Sequence, residues 1–288
     1  MLERHLTLPD GRRLAYAEFG SDDGHPVIYF HGSPSSRLEP LLIGDEALAQ
    51  LGLRVISPDR PGIGGSDFMP RRGFSHWPAD VAALADSLGW KKFSVWGYSG
   101  GAPYVAACAA RIPERIHAGV IVSGGWRVDW PEVTAALPLP NRIIWWIARR
   151  APFLLGAVLK AMAAMGRGAH EKELAQMKNR VAPPDLAWFG KPGRFRTLSD
   201  IIREAIRPGT RGAAWDMRLY ARAFDFDLGD VRIPLTLFHG ADDANYPLPA
   251  ARRAAAAIPG ANLVVCEHEA HLSMSTAKLV EVAARLRG

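Results

Sequence analysis

The chain has 288 residues, of which 48% are apolar and 22% charged, an ordinary globular composition that supports a large buried core and excludes a disordered chain. The formal charge of +6 is confined to one segment: residues 126–224 carry 17 Lys or Arg against 8 Asp or Glu, and the rest of the chain 18 against 21. Tryptophans and alanines dilute that basic segment, so it reads as a solvated helical surface rather than a polyanion site, and nucleic acid is not an expected partner.

The N-terminus, Met-Leu-Glu-Arg-His-Leu-Thr-Leu, has no charged-then-apolar leader. Arg4–Leu8 and Arg13–Glu18 flank the turn Pro9-Asp10-Gly11, a hairpin signal. Val27–Phe30, Arg54–Ser57 and Phe93–Trp96 are short continuous apolar runs, the pattern of strands buried on both faces. Val81, Leu84, Ala85 and Leu88 recur at helical spacing, and Gly89 ends that helix. A glycine turn follows Phe93–Trp96, then a helix over Gly101–Ala110 stopped by Pro113, then a strand over Ala118–Val122.

From Trp126 to Phe224 the chain is helix-like, with no buried-strand signal. Its most apolar run, Ile143–Met165, is broken by Arg149, Arg150, Pro152 and Lys160, so it reads as a helix pair and not as a bilayer span. The alternation then resumes, with strands at Leu235–His239 and Asn262–Glu267 and helices at Pro249–Ile258 and Thr276–Leu286. Strands alternating with helices predict an α/β fold with a mostly parallel sheet covered on both faces. Residues 1–125 and 225–288 form the core in this reading, and 126–224 a helical insertion. Cys108 and Cys266 each sit in an apolar run outside any metal-ligand spacing and are read as core residues. A soluble cytoplasmic protein is expected, without a membrane partner, as a monomer or homodimer.

The sharpest chemical signal is Gly97-Tyr98-Ser99-Gly100-Gly101, between a strand and a helix. Glycines two before and two after the serine let strand and helix approach, and the strained turn projects the hydroxyl into a cleft. A serine needs a base, and the base an orienting acid. His271, after the last strand, is the favoured base and His268 its rival; Asp242 and Asp243, after Leu235–His239, are the main candidate acids and Asp129 a third. His31-Gly32-Ser33-Pro34 follows a central strand, and the backbone N–H groups of Ser33 and Gly100 are the expected oxyanion donors. Asp59–Asp67 is glycine-rich but lacks the GK[ST] ending of a phosphate loop, so it reads as a shaped structural loop.

These motifs together resemble the α/β-hydrolase superfamily, specifically its capped esterase-like and epoxide-hydrolase-like members. The resemblance rests on His31–Pro34, Asp59–Asp67, Gly97–Gly101, His239-Gly240 with Asp243 and Pro247, and His271, and it spans nearly the whole chain. It implies that Asp243 rather than Asp242 is the acid, three residues beyond the glycine of the His-Gly pair. Ala270 stands where relatives usually have glycine. The resemblance also implies that residues 126 to about 224 are a mobile helical cap. Aspartate-nucleophile reactions are disfavoured because position 99 is serine.

The expected activity is serine hydrolysis of a carboxylic ester, lactone or thioester through an acyl-enzyme on Ser99, with no metal or organic cofactor. A non-hydrolytic lyase or small-ligand receptor is the alternative. The substrate is expected to be a small apolar or aromatic molecule. Tyr98, Trp126 and His31 are the expected pocket residues, joined by a minority of the six tryptophans of the insertion and by Met162, Met165 and Met217.

Overall fold

The computed structural model describes every residue except Met1, Gly166, Arg167 and Asn179. Among the described residues, eight strands form one sheet: β1 (Leu2–Thr7), β2 (Arg13–Gly20), β3 (His25–Phe30), β4 (Leu53–Pro58), β5 (Phe93–Tyr98), β6 (Ile116–Val122), β7 (Leu235–Gly240) and β8 (Asn262–Cys266). Their order is β1-β2-β4-β3-β5-β6-β7-β8. The β1/β2 and β2/β4 pairs are antiparallel, and every pair from β4 to β8 is parallel.

The strands are apolar on both faces because both faces are covered. Ile28, Phe30, Val95 and Ile121 point into one core with the helices Trp77–Ser87, Ala102–Arg111 and Leu248–Ala257. Their neighbours Val27, Tyr29, Trp96 and Val120 point into a second core with Leu48 of the helix Asp45–Gln50 and Val282 of the helix Leu279–Arg287. The two-residue side-chain period of a strand sorts alternate residues into the two cores. Cys108 and Cys266 are buried free thiols in these cores.

Differences from the sequence reading are local. The helix expected over Thr276–Leu286 is two helices, Met274–Ala277 and Leu279–Arg287, because Lys278 leaves helical geometry at φ −121° and ψ 32°. The helix Asp45–Gln50 was not anticipated; six residues are too few to show a period. The Pro9-Asp10-Gly11 hairpin forms with Thr7 opposite Arg13, and Gly11 supplies the left-handed residue at φ 86°.

Residues between β6 and β7 form the helices Pro131–Ala136, Leu139–Arg150, Leu155–Ala164, His170–Met177, Pro183–Phe189, Arg194–Ala205 and Arg211–Tyr220. This segment packs through two further apolar clusters, one around Leu155, Leu159 and Met217 that also takes in Ile63 and Tyr246, and another around Trp188, Phe189 and Phe195 that takes in Leu42. Among the described residues no helix is long and apolar enough to cross a membrane.

The strand order places the site. The chain runs from β3 outward to β4 and then returns to β5 on the other side of β3. The loops leaving β3 and β5 therefore diverge at the carboxyl edge, where open α/β sheets form their ligand crevice. Those two loops carry His31–Pro34 and Ser99.

Candidate active site

Ser99 follows β5 with φ 50°, a left-handed conformation that a residue with a side chain rarely adopts. Its neighbours explain how the turn closes. A Cβ on Gly97 would lie 2.7 Å from Val105 Cγ2, and one on Gly101 would run into the Phe30 carbonyl oxygen of the adjacent strand. The strain at Ser99 is thus held by packing that only glycine permits on either side.

Ser99 Oγ lies 2.9 Å from His271 Nε2, and His271 Nδ1 lies 2.8 Å from Asp243 Oδ2. All three residues are buried. The other Asp243 oxygen, Oδ1, accepts from the backbone N–H groups of Asn245 and Tyr246, each at 2.9 Å. Burial opposes ionisation of Asp243, but His271, His239 and the Tyr246 amide hold its carboxyl below the usual range. Burial likewise disfavours the protonated imidazole of His271. The charge and hydrogen bond of Asp243, with Asp185 and Glu39 behind them, outweigh burial and raise its pKa.

The rival candidates are elsewhere. Asp242 and His268 are exposed, and Asp129 is paired with Arg127 at 2.8 Å. In the loop Asp59–Asp67, the Asp59 carboxylate accepts from the amides of Arg37 and Gly65, and Ser66 Oγ donates to Asp59 O. Asp59 and Ser66 thus hold the loop's shape, while Arg60 reaches out of it to His31 O, Gly32 O and Asp216.

Ser99 opens onto a cavity of about 720 Å³. Gly32, Ser33, Glu39, Tyr98 and His271 line it from the core side. Met162, Met165, Met177, Phe189, Leu198 and Ile202 line it from the helical segment, so its wall is mainly apolar and adaptable. A Cβ on Gly100 would lie 3.0 Å from Ser33 N, which brings the two expected oxyanion donors side by side.

Of the expected pocket residues, Tyr98 lines the cavity and donates its hydroxyl to His271 O at 2.8 Å. Trp126 and His31 do not line it. Trp126 is wholly buried in the sheet core, where Ala102 and Tyr104 also lie. His31 turns its ring inward, with Nδ1 2.8 Å from Gly32 O. None of the six tryptophans of residues 126–224 is among the residues lining this cavity: Trp188 packs with Phe189 and Phe195, and Trp146 faces solvent. Met217 is instead buried in the cluster with Leu155, Leu159, Ile63 and Tyr246, and Met177 lines the cavity.

Three residues that sequence reasoning missed support the site. Buried Glu39 accepts from Tyr29 OH at 3.0 Å and from Gly32 N at 2.8 Å, and its burial raises the carboxyl pKa. Asp185, from the helix Pro183–Phe189, accepts from the amides of Leu272 and Ser273 at 2.7 and 2.9 Å and so fixes the loop that carries His271. Tyr220, at the end of the helix Arg211–Tyr220, donates to Gly100 O at 2.5 Å. Only Glu39 is near a motif, and nothing local marks the other two, whose partners lie 87 and 120 residues away.

A switch-point crevice, a serine turn flanked by glycines and a hydrogen-bonded Ser–His–Asp chain define a protein of the α/β-hydrolase class. The chain belongs to the alpha/beta hydrolase fold family, whose sequence profile matches residues 25–277. It is 30% identical over 259 residues to a non-heme chloroperoxidase of Burkholderia pyrrocinia, covering 85% of this chain and 84% of that one. It is 37% identical over 123 residues to a non-heme chloroperoxidase of Streptomyces lividans, a match that spans only 43% of that relative and 41% of this chain. Among solved structures, the esterase RhEst1 from Rhodococcus sp. ECU1013 superposes with a TM-score of 0.67 at 23% identity, covering 100% of this chain and 98% of the other; that likeness is one of fold.

Proposed function

We propose that this chain is a serine hydrolase that cleaves the carboxylic ester, lactone or thioester of a small apolar or aromatic substrate. The observation that carries the reading is the unbroken chain from Ser99 Oγ through His271 to Asp243, opening onto an apolar cavity. Ser99 Oγ attacks the substrate carbonyl carbon while His271 Nε2 takes its proton. Asp243 stays ionised, fixes the tautomer and stabilises the imidazolium. The N–H groups of Ser33 and Gly100 receive the developing oxyanion. The imidazolium then gives its proton to the departing alcohol or thiol, leaving an acyl group on Ser99. Water, deprotonated by the same His271, attacks the acyl carbon and releases the acid.

Residues 126–224 act as a cap in this reading, and their methionines shape the acyl or alcohol pocket. The name of a further relative, a bifunctional esterase/perhydrolase of Acinetobacter calcoaceticus, supports a second reading, in which hydrogen peroxide replaces water as the acyl acceptor and a peroxy acid is released. Both readings share the acyl-enzyme. The test is incubation with a fluorophosphonate probe, followed by intact mass and peptide mapping. A single adduct on Ser99, absent in Ser99→Ala and slowed in His271→Ala, is the expected result. A folded protein that takes up no adduct would turn attention to lyase chemistry or ligand sensing.

A further inference from the structure

Two successive peptide planes lead from β3 to the expected oxyanion donor, and one buried side chain holds both. Arg60 donates Nη1 to His31 O and Nη2 to Gly32 O, the latter at 2.6 Å. In the first plane, His31–Gly32, the carbonyl is taken by Arg60 and the N–H is taken by Glu39 Oε2 at 2.8 Å. In the second plane, Gly32–Ser33, the carbonyl is again taken by Arg60, and His31 Nδ1 lies 2.8 Å from it as well. The Ser33 N–H is the group left over: among the described residues it donates to no backbone carbonyl, and it stands beside Gly100 in the cavity wall.

We propose that Arg60 is a positioning residue for catalysis, which aims the Ser33 N–H at the oxyanion and strengthens it as a donor from the far end of the same peptide group. The inference rests on the serine-hydrolase reading. Its physical basis is amide resonance. A cation on the carbonyl oxygen draws electron density from the nitrogen, so the N–H becomes more acidic and donates more strongly. The other donor has the same arrangement without charge: the carbonyl of the Ser99–Gly100 peptide accepts from Gly125 N at 2.6 Å. Both oxyanion amides are therefore fixed from behind.

Arg60 is itself fixed. It is 1% exposed, its Nε donates to Asp216 Oδ2 at 2.7 Å, and its guanidinium lies 4.7 Å from the centre of the Tyr104 ring. Arg72 also pairs with Asp216, so one carboxylate bridges two guanidinium groups. Asp216 belongs to the helix Arg211–Tyr220, so the segment between β6 and β7 holds Arg60 in place.

The cluster supplies its own control. Arg72 shares Asp216 and burial with Arg60, but its other partners are Tyr104 OH and Pro61 O, not the His31 or Gly32 carbonyls. The experiment compares Arg60→Gln, Arg60→Lys and Arg72→Gln with the wild type. It measures kcat and KM on p-nitrophenyl acetate, Tm, and inhibition by an alkyl trifluoromethyl ketone and its non-fluorinated parent. The fluorinated ketone forms a hemiketal oxyanion on Ser99; the parent ketone binds unreacted.

Removing one oxyanion donor outright costs about 10²–10³-fold. Loss of its support in Arg60→Gln is expected to lower kcat by about 10–100-fold with KM little changed. Affinity for the trifluoromethyl ketone falls by the same factor as kcat/KM, and affinity for the parent ketone holds. Arg60→Lys, which keeps the charge, recovers part of the loss, and it carries the comparison if Arg60→Gln does not fold. Arg72→Gln lowers Tm but leaves kcat and trifluoromethyl ketone affinity within a few-fold of wild type. Unchanged trifluoromethyl ketone affinity in both Arg60 variants overturns the proposal, as does a loss in Arg72→Gln equal to that in Arg60→Gln. A wild-type protein that neither turns over the ester nor binds the fluorinated ketone refutes the hydrolase reading itself, and the Arg60 proposal falls with it.

Discussion

Asp243→Asn is the most discriminating perturbation of the site, because the structure dictates which way the new amide must face. Asp243 Oδ1 accepts two backbone N–H groups, from Asn245 and Tyr246, while Oδ2 accepts from His271 Nδ1. An asparagine at this position must keep its carbonyl oxygen on the two amides. Flipping it would leave both donors without their acceptor, and the buried Tyr246 amide alone would cost about 1–3 kcal/mol. Its NH₂ group therefore faces His271 Nδ1, which must then act as an acceptor, and the imidazole proton moves to Nε2. In the proposed mechanism Nε2 takes the Ser99 proton, so the asparagine would hold the imidazole in the wrong tautomer. The expected loss in kcat is about 10³–10⁴-fold, or about 4–5.5 kcal/mol of transition-state stabilisation. Because the side chain keeps its volume and its two backbone bonds, Tm should move little. The assay is steady-state hydrolysis of p-nitrophenyl acetate, with fluorophosphonate labelling rates as a second measure. Asp243→Asn within tenfold of wild type would refute the reasoning, as would Asp242→Asn being the inactive member of the pair.

The raised pKa of His271 predicts that kcat/KM falls as pH drops through a limb lying above the ordinary histidine value of 6.5, since only the neutral imidazole serves as base; a limb below 6.5 would contradict the environment assigned to it. Asp185→Ala removes the acceptor of the Leu272 and Ser273 amides, and loosening of the His271 loop should lower kcat by about tenfold and stability by about 1–3 kcal/mol in urea titration. Asp216, held at about 2 against an ordinary 3.8, contributes stability that is complete above pH 4 and lost as pH falls toward 2, on the order of 2 kcal/mol. The urea midpoint of Asp216→Asn should accordingly change less over that range than that of wild type. Gly101→Ala sets a methyl group against the Phe30 carbonyl and should yield little soluble protein; normal expression and Tm would show that β3 and the Ser99 turn are less tightly apposed than described.

The parallel strands were legible because each carries a short apolar run, whereas exposed β1 was legible only through its hairpin turn. Val27–Phe30 sits inside β3 and Phe93–Trp96 inside β5, and each observed strand is longer by two residues. Sheet order was not legible, since the pairing of β3 with both β4 and β5 depends on packing that no local pattern encodes. Ser99 and His271 could be picked out as candidates because their chemistry is tied to a strand end. Asp243 could be separated from Asp242 only by resemblance. The pocket was not legible. A tryptophan's size argues equally for core and for lining, and in this fold Trp126 and Trp188 went to cores while methionines, leucine, isoleucine and phenylalanine lined the cavity. His31 misled for a related reason: a histidine after a central strand points either into the crevice or beneath it, and the carbonyl of Gly32 drew it beneath.

What the sequence conceals most completely is how the segment between β6 and β7 is joined to the chemistry. Three of its residues make long-range bonds to the machinery: Asp185 to the loop of His271, Asp216 through Arg60 to the loop of Ser33, and Tyr220 to Gly100. Two of the three are buried carboxylates, which persist only where ionised or hydrogen-bonded partners compensate for lost solvation. In each case the partner is a backbone donor or a guanidinium belonging to the core. A cap that served only to exclude water would satisfy its polar groups within itself. These groups are instead satisfied across the boundary with the core, so in the proposed hydrolase a displaced segment would leave the loops of His271 and Ser33 without this support. For the proposed hydrolase, whose substrate would bind in the methionine-lined cavity between the two parts, cavity substitutions such as Met162→Ala should therefore alter kcat as well as KM.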